Sequence, residues 1–326
     1  MKKLFVFVMV ILLVGTFSVF AATITIGVLG KAAEAYWMQV NQGAQAAAKA
    51  LGITVNFYAP QTEDIPGQIS AFQGYVAQGM AGIAIAPSAP DAVVPYITKA
   101  ISMGVPVVTI DTDAASGSGR YFYIGTDNYK AGYIGGQEMV KLLNGKGNVV
   151  IITGSLSANN SLERIQGFED ALKGTDIKVL TILNDQEDAA KAFSLVQSAI
   201  STYGNNLNAF YGVYYEDGPA EANALKSAGF QPGQIKVVCF DMGPDTLKYT
   251  QEGYIQAATV QKPYFMGYFA VMLLYDMAKI GPLGPQYVKM MENNTDVIDT
   301  GITVVTPNNL NDYIQWTKQL GIPSSY

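Results

Sequence analysis

In residues 104–113, GVPVVTIDTD, a run of β-branched and apolar residues stops at two carboxylates, Asp111 and Asp113. Residues 235–241, IKVVCFD, behave alike and close on Asp241. Two acids brought face to face could serve as acid and nucleophile in glycoside hydrolysis. They could equally accept hydrogen bonds from the hydroxyls of a bound polyol without reacting. The remaining inventory narrows the chemistry. No histidine occurs, which removes the commonest general base and the commonest transition-metal ligand. Cys239 is the only cysteine and reads as a small buried core residue, and neither a P-loop lysine motif nor a G-x-S-x-G elbow is present. No metal or cofactor is therefore expected.

Arginine occurs only at Arg120 and Arg164, in a chain that otherwise draws its cations from lysine. Residues 155–167, SLSANNSLERIQG, put Arg164 in an early turn of a helix, where the macrodipole disfavours a cation. A residue that breaks a local rule is a candidate for function, and a guanidinium fork can donate to two neighbouring oxygens at once. Residues 31–37, KAAEAYW, set Tyr36 and Trp37 side by side at the start of a helix. Sugar rings have apolar C–H faces that pack on aromatic planes. Either ring alone is as readily core as ligand contact, but the carboxyl end of a strand is where open α/β sheets bind ligands. Thr126-Asp127-Asn128 follows another strand, with Asp127 reading as a helix N-cap. In Glu187-Asp188, Asp188 reads as a solvated residue and Glu187 is balanced between surface charge and ligand contact.

The elements that must position these residues alternate regularly. Strands are predicted over residues 23–30, 53–60, 82–88 and 104–111, with helices over 36–51 and 65–79 and an Ala-rich helix after 88. This βαβ order predicts a parallel sheet with right-handed crossovers. After the Gly- and Ser-rich residues 114–120, a short strand within 121–128 makes a first crossing. Residues 148–154, 177–183, 209–215, 235–241 and 256–260 supply the strands of a second lobe. Residues 263–280 are apolar enough to raise a membrane helix, but a leading Pro and internal Gly, Tyr and Asp fit a packed helix that returns to the first lobe. Residues 296–305 read as one last strand, and the chain ends in a polar helix containing Trp316. The fold class is α/β: two similar doubly wound parallel-sheet lobes joined by three crossover strands. The lobes are expected over 22–127 plus 262–286 and over 128–261 plus 287–310, followed by a C-terminal helix and tail, 311–326.

Residues 1–21 stand outside that fold. A basic start at Lys2 and Lys3, an apolar stretch and small residues up to Ala21 make a cleaved signal peptide, so the mature chain is expected in the periplasm. The net charge of −6 grows more negative once those lysines are removed, which argues against nucleic acid and anionic membrane as partners.

The segments Tyr36-Trp37, VVTIDTD, IGTDN, SLERIQGF, GVYYEDGPA, VVCFDMGPD and ATVQKP, in this order and spacing, resemble the type I periplasmic sugar-binding proteins of ABC transporters, in their ribose-, xylose- and glucose-binding branch. The resemblance covers essentially the whole mature chain. It implies a non-enzymatic, monomeric receptor that closes two lobes on a monosaccharide and presents it to a membrane permease. It also implies that Tyr36 and Trp37 stack on the sugar, that Asp111, Asp241 and Arg164 bind its hydroxyls, and that Gln261 joins them. The chain departs from the ribose binders at Glu34, Thr112, Glu187 and, at a strand-end Asn, Tyr214 or Tyr215. Those departures point away from ribose and leave glucose or xylose ahead. The expected ligand-binding set is thus Glu34, Tyr36, Trp37, Asp111, Asp113, Thr126, Arg164, Glu187, Tyr214, Asp241 and Gln261. An exported glycosidase and a sugar sensor for chemotaxis or signalling are the rival readings. A DNA-binding regulator is excluded by the export signal and the missing basic head.

Overall fold

A computed structural model describes residues 24–291 and 295–322; the signal peptide expected at 1–21 lies outside the described residues. In the first half, β1 (Thr25–Leu29), α1 (Ala35–Leu51), β2 (Thr54–Tyr58), α2 (Ile65–Ala77), β3 (Gly82–Ile85), α3 (Pro90–Ser102), β4 (Val107–Ile110) and β5 (Tyr123–Gly125) follow one another. The second half runs α4 (Asn128–Leu143), β6 (Lys146–Thr153), α5 (Asn159–Leu172), β7 (Asp176–Asn184), α6 (Ala189–Tyr203), β8 (Ala209–Gly212), α7 (Asp217–Ser227), β9 (Lys236–Phe240), α8 (Pro244–Gln251) and β10 (Ala257–Val260). The chain then returns through α9 (Pro263–Ile280), α10 (Gly284–Met291), β11 (Val297–Asp299), β12 (Thr303–Val305) and α11 (Leu310–Gln319).

Two six-stranded sheets result, ordered β11-β5-β4-β3-β1-β2 and β12-β10-β9-β8-β6-β7. Every pairing is parallel except β10 with β12. Because helices cover both faces of each sheet, β3, β4 and β8 are buried at every position, and apolar cores lie on both sides. The lobes are built as a matched pair. In each one, a helix following a crossing lies against another so closely that only glycine fits between them. A Cβ on Gly43 would overlap the Tyr264 carbonyl where α1 meets α9, and one on Gly132 would overlap the Arg164 carbonyl where α4 meets α5. The chain crosses between lobes three times, at Thr126–Asp127, Gln261–Lys262 and residues 300–302.

Three expectations are corrected. Residues 296–305 form two strands, because Gly301, at φ +70°, breaks the run. β11 pairs with β5 in the first sheet, so the boundary that put 287–310 in the second lobe falls too early. The strand expected through residue 215 stops at Gly212: the Val213 amide still reaches Ile152 O of β6 but is shared with the Asp217 carboxylate, and the Tyr214 amide donates to that carboxylate alone. α10, not foreseen, packs on α9, and Leu310 of the C-terminal helix α11 joins the second lobe's core. Among the described residues no helix is long and apolar enough to cross a membrane.

Candidate functional site

The two strand-end aspartates share an uncommon backbone state. Asp111 has φ +59° and Asp241 φ +62°, the left-handed region that costs a non-glycine residue about 1–3 kcal/mol. Each amide is still held by the next strand, Asp111 donating to Ile124 O and Asp241 to Thr259 O. The kink turns each carboxylate off its strand end into the space between the sheets. On the first lobe, Tyr123 Oη donates to the Asp111 carbonyl at 2.8 Å and so braces the kinked residue from behind. The Asp111 carboxylate accepts from Tyr36 Oη at 2.6 Å and from Thr112 Oγ1 at 2.9 Å. Burial, then the charge of Asp111, pushes the Tyr36 phenol well above its ordinary range, so it stays a proton donor.

On the second lobe Asp241 is buried and accepts from Gln261 Nε2 at 3.2 and 3.3 Å. Burial raises its pKa, opposed by Arg164 and by the Gln261 hydrogen bonds. Arg164 is 4% exposed, with Nε donating to Asn128 Oδ1 at 2.9 Å and Nη1 to the Val213 carbonyl at 3.1 Å. Its guanidinium lies over the Phe240 ring, 4.2 Å from the centroid. Among the described residues no carboxylate comes within ion-pair distance of it. A buried guanidinium with five donors and two neutral partners keeps hydrogen-bonding capacity to offer. Because α5 begins at Asn159, Arg164 stands in the second turn rather than at the helix start. The macrodipole argument for it therefore falls away, and burial without an ion pair replaces it.

Three further acids stand at junctions between strands and helices. Glu34 precedes α1, Glu187 follows β7, and Glu216 precedes α7. Burial raises all three carboxyls; Glu63 adds to the rise at Glu34, and Glu34 adds to it at Glu187 and Glu216 from across the cleft, while Lys31 pulls Glu187 down. Tyr214 lies among these acids, and burial with Glu216 and Asp241 nearby pushes the Tyr215 phenol up to about 12. Between the lobes lies a cavity of about 10 Å³, room for about one water. Across this cavity Tyr36 and Gln39 of one lobe face Tyr215, Asp241 and Tyr313 of the other.

Three expected contacts sit elsewhere. Trp37 is 5% exposed in the first lobe's core, its ring against Gly30 and edge-on to Tyr36 at 5.2 Å, because α1 turns the second aromatic inward. Asp113 is occupied by Arg120, whose Nε and Nη2 grip its two oxygens while Nη1 reaches Asp296; this fork pins the 111–120 loop. Thr126 is buried and donates to Gln261 Oε1 at 2.9 Å, which orients that amide so that its nitrogen faces Asp241. Asp127 and Asp188 cap α4 and α6. Sequence reasoning missed Asn128, which holds Arg164, together with Glu216 and Tyr313, and left Tyr215 as an alternative to Tyr214. Their signal was no stronger than that of ordinary capping, turn and helix residues.

A family model for the periplasmic binding protein domain matches residues 26–282, and the chain belongs to that family. The D-allose-binding periplasmic protein of Escherichia coli K12 is 27% identical over 277 residues, covering 82% of this chain and 88% of its own length. A glucose-galactose-binding protein from Geobacillus stearothermophilus superposes with a TM-score of 0.77 at 30% identity, covering 88% of this chain and 99% of its own. A solute-binding protein of an ABC transporter from Burkholderia graminis, solved with D-arabinose, superposes with a TM-score of 0.78 at 35% identity, covering 89% and 97%.

Proposed function

We propose that this chain is the exported solute-binding protein of an ABC transporter, which captures a monosaccharide between its lobes and hands it to a membrane permease. The observation that carries this reading is the convergence, from opposite lobes, of Asp111 with Tyr36 and of Asp241 with Arg164 and Gln261. A desolvated sugar needs each hydroxyl hydrogen-bonded, and acceptor-only carboxylates beside a donor fork do this without chemistry. Relatives named for allose and glucose-galactose binding, and a solute-binding protein solved with D-arabinose, support the same class. Thr112 and Glu34 keep glucose or xylose ahead of ribose. The protein acts as a monomer, without a cofactor and without turnover. A thermal-shift panel of pentoses and hexoses tests it, since a ligand that binds only the folded state raises stability by mass action. Hydrolysis of nitrophenyl glycosides would instead favour the glycosidase reading.

A further inference from the structure

We propose that Tyr313 of the C-terminal helix is a further ligand-binding residue of the cleft, donating from its hydroxyl to a sugar hydroxyl beside Asp241, and that Trp316 positions it by stacking on Phe265 of the opposite lobe. The proposal rests on the monosaccharide reading above and adds to it an element beyond the matched family segment, which ends at residue 282. α11 is tied to the second lobe at its start: Asn309 Oδ1 accepts from the Thr306 amide at 2.7 Å, and Asn309 Nδ2 donates to the Val304 carbonyl of β12 at 2.9 Å. Leu310 and Thr317 are buried, and Ile314 between them packs on that lobe's core, so these residues mark the helix's inner face. Tyr313 stands beside that face and reaches the cavity between the lobes, which it lines together with Asp241, Gln261 and, from the first lobe, Tyr36.

Two observations give Tyr313 a task there. Among the described residues its hydroxyl makes no hydrogen bond, whereas the Tyr36 hydroxyl is engaged by Asp111. Burial, then the charge of Asp241, pushes the Tyr313 phenol above its ordinary range, so it stays a proton donor. A sugar hydroxyl that donates to Asp241 still has lone pairs to fill, and the Tyr313 hydroxyl is an unengaged donor on the same wall. The second observation is the row of rings behind it. Trp316, one turn on, lies 6.0 Å from Tyr313 between ring centroids, and it stacks on Phe265 at 6.1 Å with 25° between the planes. Phe265 belongs to α9, which packs on α1 and against β3 and β4 of the first lobe. The sulfur of the next residue, Met266, lies 3.6 Å from Tyr36 Oη. The row thus runs from one lobe to the other and ends beside the first lobe's own ligand group. Stacked rings fix one another's orientation, and a tyrosine already held in place loses less side-chain freedom when a ligand arrives.

Calorimetry on the exported protein should measure D-glucose, D-galactose, D-allose, D-xylose, D-ribose and D-arabinose against the wild type, Tyr313→Phe, Trp316→Ala and Trp316→Phe, beside denaturation midpoints of each ligand-free protein. Tyr313→Phe should weaken the tightest of these sugars about two- to tenfold, the scale of one neutral hydrogen bond, without lowering the midpoint. Trp316→Ala should weaken it at least as much, and Trp316→Phe, which keeps a ring against Phe265, should restore it. In wild-type protein labelled with 5-fluorotryptophan, the Trp316 resonance, identified by its loss in Trp316→Phe, should shift when that sugar is added. Wild-type affinity in Tyr313→Phe overturns the hydroxyl as a ligand contact and leaves the monosaccharide reading standing. Wild-type affinity in Trp316→Ala, or a Trp316 resonance that sugar does not move, overturns the positioning role. Binding of none of the six sugars by the wild type overturns the monosaccharide reading and this proposal with it.

Discussion

Arg164→Lys is the substitution with the clearest consequence. The guanidinium donates from Nε to Asn128 and from Nη1 to the Val213 carbonyl, and its plane rests on Phe240. A lysine ammonium is one point with no plane, so it can keep at most part of this arrangement while facing a ligand. One charged hydrogen bond to a ligand hydroxyl is worth about 1.5–3 kcal/mol, so affinity should fall about ten- to a hundredfold. Stability should fall as well, since Asn128 Oδ1 or Val213 O is left without its donor inside the protein; about 1–3 kcal/mol per orphaned group is the scale. That corrects any picture of Arg164 as a ligand contact alone, because the residue also ties α5 to α4 and to the loop after β8. Calorimetry with the sugar found by thermal shift, run beside chemical denaturation of the ligand-free protein, separates the two effects. Unchanged affinity with reduced stability would refute the reasoning and leave Arg164 a structural tie.

Tyr123→Phe removes the brace on the Asp111 carbonyl and should weaken ligand binding several-fold; in an Asp111→Gly background, where the left-handed backbone costs little, its effect on denaturation midpoints should vanish, and an equal effect in both backgrounds refutes the brace. Asp185, Asp217 and Glu221 are all fully buried; burial, then neighbouring Asp185, holds the Asp217 carboxyl well above its ordinary range, and burial with Asp217 and Asp185 nearby does the same for Glu221. A carboxyl whose folded pKa is raised binds more protons folded than unfolded, so its stabilisation is full below the unfolded value near 4 and is lost as pH climbs through the folded one. Melting temperatures should therefore decline with rising pH, less steeply in Asp217→Asn; an unchanged slope in that variant counts against a raised Asp217 carboxyl. Ligand should reduce the radius of gyration in small-angle scattering, since contacts from both lobes exist only when they close; identical curves with and without sugar count against hinge closure. Mass spectrometry of the exported protein should show a chain beginning after about Ala21, and an intact N-terminus would contradict the signal peptide.

The architecture was legible in the chain because buried parallel strands are nearly continuous apolar runs, and each ends in a turn residue or a carboxylate. That pattern is local, and it placed Asp111 and Asp241 at strand ends, with the crossings near residues 126 and 261. Residues 296–305 misled because two three-residue strands separated by a Thr-Gly turn carry the same local pattern as one longer strand, and which sheet each joins is settled by pairing far away in sequence. The site divides in the same way. Tyr36 and Arg164 stood out by type and position, and Gln261 only through the family resemblance. Nothing local distinguishes Tyr36 from Trp37, yet the turn of α1 sends one ring to Asp111 and the other into the core. Nor does the sequence show that Arg120 closes on Asp113, or that Thr126 aims the Gln261 amide at Asp241. Side-chain direction and partner choice depend on which backbones pack together, and only the tertiary structure decides that; what the chain determines by itself is where strands end and which residues stand there.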